Sequence, residues 1–237
     1  MDHHLQRLRT DASIIADAVR TGPLDAAVAA CPGWDLAELG RHIGFIHRWA
    51  RLAAAGGAAP DTDLIDAPPP DHQLAAWIEA GADDLIAVLS ELDPDQPTWH
   101  PFPVPKVASV WPRRQAKETM IHAWDAVHAI GGSPELDPAA AADGVAEYFE
   151  VIVPRIIART GRTAPTGVMA IRFTDSGDPL VVRNDDGTSV VLDPTAAHDT
   201  EVVGRADDLC LAFWNRRPLA DPPQHPLAEA WLGFGGN

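Results

Sequence analysis

Residues 31–57 read CPGWDLAELGRHIGFIHRWARLAAAGG. Pro32-Gly33 is a turn signal, and Asp35 with Glu38 three residues later forms an N-cap pair of the capping-box kind. Leu36, Leu39, Ile43 and Ile46 then recur at helical spacing, and Gly56-Gly57 stops the run. Both ends of a helix reaching about Ala55 are therefore written into one stretch of chain.

Three more segments of similar length surround it. Residues 3–21 carry Leu5, Leu8, Ile14, Ile15, Ala18 and Val19 near helical spacing before Gly22-Pro23. Residues 58–71 are an acidic, proline-rich loop. Residues 71–92 form a third helix with Leu74, Trp77, Ile78, Leu85, Ile86 and Leu89 as its apolar stripe. Five prolines in residues 94–105 exclude regular structure there. A loop of this length is more often functional than idle, and Trp99, Phe102 and Trp111 suggest an apolar lid. Residues 107–130 read as a fourth helix, kinked at Pro112 and stopped by Gly131-Gly132. Four helices of similar length predict a helix bundle.

Past residue 132 the pattern changes. Residues 138–160 read as helix broken at Pro154. The period then drops to two in short strands at 168–173, 180–183, 189–192 and 201–203. Turns are expected at 175–178 and 184–187. Helices follow at 205–215 and 225–233. The second part is α+β, and the boundary at GGSPELDP predicts domains of 1–135 and 136–237.

Composition narrows the function. The chain has 237 residues, with 18 Lys plus Arg against 34 Asp plus Glu, a net charge of −16. That argues against nucleic acid and against an anionic membrane surface as partners. Cys31 and Cys210 form no CxxC pair, which excludes a zinc knuckle or thioredoxin-type motif. The N-terminus lacks the apolar core of a signal peptide, and no stretch approaches a membrane span. A soluble cytoplasmic protein is expected; the sequence sets no oligomeric state.

The chemistry concentrates in the fourth helix. Glu118 and His122 are at i, i+4, on one face and one turn apart, so both can reach one metal ion. The ordinary alternative is a helix-surface pair. In the second helix, His42 sits among Leu39, Ile43, Phe45 and Ile46. It is either a hydrogen-bonded core histidine or a third ligand. Two histidines and one carboxylate leave coordination positions open, which suits a catalytic metal; zinc and ferrous iron both fit. Glu38 is positioned to hold the second ring nitrogen of His42, or acts only as a cap. Asp125, three residues after His122, is a candidate to orient that ring. His47 and His128 point off the ligand faces. His100 lies in the proline-rich loop, from which it could approach the site. His3, His4, His72, His198 and His225 read as surface, and Cys31 as packing.

Three motifs carry a resemblance. Cys31-Pro-Gly-Trp-Asp-Leu through His42 to His47-Arg-Trp-Ala resembles the opening of mycothiol-dependent maleylpyruvate isomerase-like proteins. Val110-Trp-Pro-Arg-Arg-Gln-Ala-Lys-Glu118-Thr-Met-Ile-His122-Ala-Trp-Asp125 resembles their metal-ligand segment. Val203-Gly-Arg-Ala-Asp-Asp-Leu through Phe213-Trp-Asn-Arg-Arg-Pro-Leu219 is similar to their C-terminal signature. The motifs occur in order, and their surroundings cover most of the chain. They are specific to the superfamily, not to one reaction.

The resemblance implies a DinB-like four-helix bundle followed by a small α+β, sterol-carrier-like domain. It implies a divalent metal, usually zinc, on His42, Glu118 and His122. It also implies mycothiol or another low-molecular-weight thiol as cofactor, used for S-transfer to, or cis–trans isomerisation of, an electrophilic small molecule. Arg216 aligns with an arginine thought to face the active site, with Asn215 where the family has glycine, which puts the local turn in question. Arg113 and Arg114, about one turn before Glu118, are alternative cations at the mouth for cofactor or substrate. For each arginine an ordinary salt bridge is the competing reading. Two other functions stay open on the same scaffold: thiol-independent catalysis in specialised metabolism, and non-catalytic binding or regulation. Thiol dependence separates the first from the family reaction. Loss of a ligand would favour the second, and all three ligands are present.

Overall fold

The computed structural model describes residues 2–185 and 188–235. The chain divides into two compact units. One comprises residues 1–100 and 105–134; the other comprises 101–104 and 135–237.

The first unit is a bundle of α1 (Asp2–Thr21), α2 (Leu36–Ala55), α3 (Asp71–Glu91) and α4 (Val110–Ala129). α1 packs on α3 and α4, and α2 packs on the same two helices. The cyclic order α1–α3–α2–α4 therefore makes α2 and α4 neighbours although a third helix lies between them in sequence. Ile15, Val19, Leu39, Ile43, Leu74, Ile78 and Ala126 fill one layer of the core. Leu5, Leu8, Ala50, Leu85, Leu89 and Trp111 fill another. The α2–α3 seam is tight: a Cβ on Gly44 would lie 2.0 Å from the Trp77 ring. Only glycine permits that approach.

The N-terminus of α2 forms as its sequence requires. Asp35 caps it by accepting from the Glu38 backbone N–H at 2.8 Å. Before it, the Trp34 N–H donates to the Cys31 carbonyl at 2.9 Å. Pro32 and Gly33 occupy the centre of that turn, and Gly33 has φ +85°. Proline then glycine in the left-handed region is the type II pattern.

The proline-rich loop is pinned rather than open. Thr98 donates to the Ala53 and Ala54 carbonyls at the end of α2, each at 3.0 Å. Trp111 is buried, with its ring centroid 5.7 Å from that of Trp49. Phe102 is buried too, as part of the second unit. These aromatics are core, not the expected lid, because burial of rings this large outweighs exposing them over a mouth. Nor does Pro112 kink a helix interior. α4 begins at Val110, so Pro112 sits in the first turn, where its missing N–H has no intrahelical partner to lose.

The second unit opens with α5 (Pro138–Glu147), a π turn (Tyr148–Ile152) and α6 (Val153–Thr160). The interruption lies upstream of Pro154, not at it. A proline cannot bond the carbonyl four residues back, so the preceding turn widens to a π turn. A four-stranded sheet follows: β1 (Gly167–Phe173), β2 (Leu180–Asp185), β3 (Thr188–Leu192) and β4 (Thr200–Gly204). Its order is β3-β2-β1-β4, with β1–β2 and β2–β3 antiparallel and β1–β4 parallel. The turn expected at 184–187 falls partly on residues 186 and 187, outside the described residues. α7 (Ala206–Phe213) packs on α5, and α8 (Pro226–Leu232) closes the unit. Tyr148, Phe149, Phe213 and Trp231 form its aromatic centre. The architecture is a four-helix bundle followed by a small α+β unit. Among the described residues, no helix is long and apolar enough to cross a membrane.

Candidate metal centre

Because α2 and α4 are neighbours, His42 meets the two residues of α4 that share one face. His42 Nε2 lies 3.3 Å from Glu118 Oε1, and His122 Nε2 lies 3.7 Å from the same oxygen. The three ligand atoms all fall within 4.8 Å of one another. A tetrahedral zinc held at about 2.0–2.1 Å separates its nitrogen and oxygen donors by roughly 3.3–3.4 Å. The donor set and its spacing therefore fit a divalent cation. His42 and Glu118 keep about a quarter of their side chains exposed (26% and 24%), so the cluster has an approach from solvent.

The neighbours of these groups fix their orientation. The Asp125 carboxylate accepts from His122 Nδ1–H at 2.9 Å. That fixes the ring with Nε2 turned toward Glu118. Arg114 donates to the other Glu118 oxygen at 2.6 Å and is only 2% exposed. Burial pushes the Glu118 carboxyl up, but the His42 hydrogen bond, Arg114 and the two imidazoles outweigh it. Together they hold it well below the usual carboxylate range. The turn before α2 brings the Trp34 ring 4.7 Å from the His42 ring and 6.1 Å, stacked, from the His122 ring. Cys31 from the same turn joins His122 and Asp125 in a second group of ligand-type atoms within 4.8 Å. Cys31 also packs against the bundle core, and neither Cys31 nor Cys210 is in a disulfide.

Several expected roles move. Glu38 does not reach His42; its carboxylate pairs with Arg41 at 2.8 Å, because that partner lies one turn away on the exposed face. Arg114 is not an open cation at the mouth but a buried partner of Glu118. The i, i+4 spacing of Arg114 and Glu118 was the available signal for that pair. Arg113, on the same helix, is half-buried. His100 is engaged within its own loop, donating from Nε2 to the Pro105 carbonyl at 3.0 Å. His128 stacks on Trp124 at 4.5 Å.

His47 leaves the ligand face, as expected, but lands on α4. Its Nε2 lies 3.0 Å from Thr119 Oγ1, and the ring is fully buried. Burial, then the nearby Arg48 charge, lowers its pKa to about 3. Sequence spacing gave no sign of this pair, since the two residues lie on helices distant along the chain.

Arg216 belongs to the second unit. It donates to the Trp214 carbonyl at 2.8 Å and lines a cavity of about 410 Å³ with Asn215, Arg217, Pro218, Leu219 and Leu232. The turn before it is intact despite the missing glycine. Asn215 has φ +58°. Its N–H bonds the Ala212 carbonyl at 3.0 Å, and the Arg216 N–H bonds the Leu211 carbonyl at 2.7 Å. That is the Schellman pattern, which asparagine tolerates better than other side chains.

No curated protein and no solved structure matches this sequence. Residues 5–127, which carry all three candidate ligands, match the family model of the mycothiol maleylpyruvate isomerase N-terminal domain. With just over half of its length covered by that match, the chain belongs to the mycothiol maleylpyruvate isomerase N-terminal domain family.

Proposed function

We propose that this protein is a metal-dependent enzyme that activates a mycothiol-type thiol for S-transfer to, or cis–trans isomerisation of, an electrophilic small molecule. The observation that carries the reading is the convergence of His42, Glu118 and His122 within 4.8 Å, inside the region that matches the family. The ligands would be His42 Nε2, Glu118 Oε1 and His122 Nε2. Zinc suits this donor set. A divalent cation with three protein ligands leaves a position for a thiol sulfur and lowers its pKa, so that the thiolate predominates near neutrality.

The chain's own residues do the rest. Asp125 accepts from His122 Nδ1–H and so holds the ring with Nε2 turned toward the site. Arg114 fixes one oxygen of Glu118, leaving the other turned to the histidines. Trp34 stands against both imidazoles as an apolar wall that limits water beside them. Arg113 and Arg216 are the cations assigned to anionic groups of cofactor or substrate; Arg216 is the catalytic candidate. Metal binding is assigned to residues 1–135, and 136–237 is the accompanying domain. The reading places the protein in the reducing cytoplasm, which suits two cysteines that form no disulfide, Cys31 and Cys210.

Titration of the Co²⁺-loaded protein with mycothiol tests this. A new thiolate-to-metal absorption at one equivalent, absent with the S-methylated thiol, is the expected result. An unchanged spectrum contradicts thiol activation.

A further inference from the structure

The two ligand helices are joined beside the metal cluster by a second pair of residues. His47 on α2 and Thr119 on α4 lie 3.0 Å apart, both fully buried. Thr119 is the neighbour of Glu118 in the chain. Its hydroxyl proton already goes to the Gln115 carbonyl at 2.8 Å. Thr119 Oγ1 therefore accepts from His47 Nε2–H.

This bond matters because of what a cation would do to the other one. His42 Nε2 and Glu118 Oε1 are hydrogen-bonded to each other at 3.3 Å. Both atoms are also ligands under the proposed function, and a bound cation takes both. The direct bond between them would then give way to the shared cation, which itself sets no spacing for the helices before it binds. The His47–Thr119 bond uses no ligand atom and survives loading.

A merely apolar seam would have no use for this imidazole. The His47 ring is fully buried and also meets the Ile78 backbone of α3. Burying a polar ring costs free energy that an aliphatic side chain would avoid.

We infer that His47 and Thr119 are positioning residues for the metal centre: their bond sets the separation of α2 and α4, and so the fit of His42 to Glu118 and His122. The inference rests on the proposed metal site. It predicts that breaking the bond weakens metal binding and distorts the coordination geometry while all three ligands remain.

The test compares Thr119→Val and His47→Leu, which remove the bond, with Thr119→Ser and His47→Gln, which keep a hydroxyl and a donor at the Nε2 position. Zn²⁺ affinity is measured by chelator competition, geometry by the visible spectrum of the Co²⁺ form, and folding by thermal unfolding of the metal-free protein. The expected result is a loss of about 10- to 100-fold in Zn²⁺ affinity with an altered Co²⁺ spectrum for the first two variants. The conservative pair should stay close to the parent, which also keeps the test decisive if a disruptive variant does not fold. Parent-like Zn²⁺ affinity and Co²⁺ spectrum in Thr119→Val, with only a lower unfolding temperature, overturns the inference and leaves the metal site standing. Failure of the parent protein to bind either ion overturns the metal site itself.

Discussion

Asp125 stands behind His122, its carboxylate 2.9 Å from Nδ1 and fully buried, on the same helix as both the ligand it orients and Glu118. A single helix thus supplies two of the three candidate ligands and the group that sets the tautomer of one of them. Only His42 must be delivered from elsewhere, and the adjacency of α2 and α4 delivers it.

Asp125→Asn keeps the shape but no longer presents a carboxylate to Nδ1–H. Zn²⁺ affinity should fall about 10- to 100-fold, as for other groups that support a metal-bound histidine. Chelator competition measures this directly. An affinity equal to that of the parent would show that His122 needs no support.

Arg114 and Glu118 should behave as a coupled pair. Arg114→Met leaves the carboxylate without its buried partner and should destabilise the metal-free protein by about 3 kcal/mol, the low end for a broken buried pair. The quarter of Glu118 still open to solvent is the reason for the low end. Adding Glu118→Gln should recover part of the loss, read from urea denaturation of the single and double variants. Strict additivity would mean that the pair is not coupled.

The sequence made the ends of α2 and the ligand spacing readable, because capping and i, i+4 geometry are local. Asp35 caps α2 through the Glu38 backbone N–H, although the Glu38 carboxylate turns to Arg41 where a full capping box would bring it back to Asp35, and Asp125 meets His122 one turn on. What escaped is non-local. His47 was visible only as a residue off the ligand face; that this face meets Thr119 depends on the cyclic order of the helices. The same holds for Trp111, whose burial beside Trp49 follows from how the proline-rich loop is tied to the end of α2. The π turn before Pro154 is a different failure. The missing N–H was legible, but not where the backbone would absorb it.

Acid should expose His47. Its folded-state pKa of about 3 lies below the ordinary value, so the unfolded chain binds the proton more readily. The stability that neutral His47 contributes is present above about pH 6.5 and is lost as pH falls toward about 3. Glu118, also depressed, acts in the same direction, so the share of His47 is isolated with His47→Gln. Between about pH 7 and pH 5 the parent should lose about 2 kcal/mol more than this variant. Parallel losses in metal-free urea titrations would contradict a buried neutral imidazole.

Asn215 does the work of a glycine at the end of α7, with φ +58°. Asn215→Gly should therefore be neutral or slightly stabilising. Asn215→Val, with a branched side chain in the left-handed region, should cost about 1–2 kcal/mol. Thermal unfolding ranks the three proteins. A valine variant as stable as the parent would mean that the turn rearranges at no cost.

The central claim is that His42, Glu118 and His122 hold a metal. Metal content by mass spectrometry, on the purified parent and on His42→Ala after reloading with Zn²⁺, tests it most directly. About one equivalent of a divalent ion in the parent and a large loss in the variant is the predicted result. No metal in either protein after reloading would contradict it.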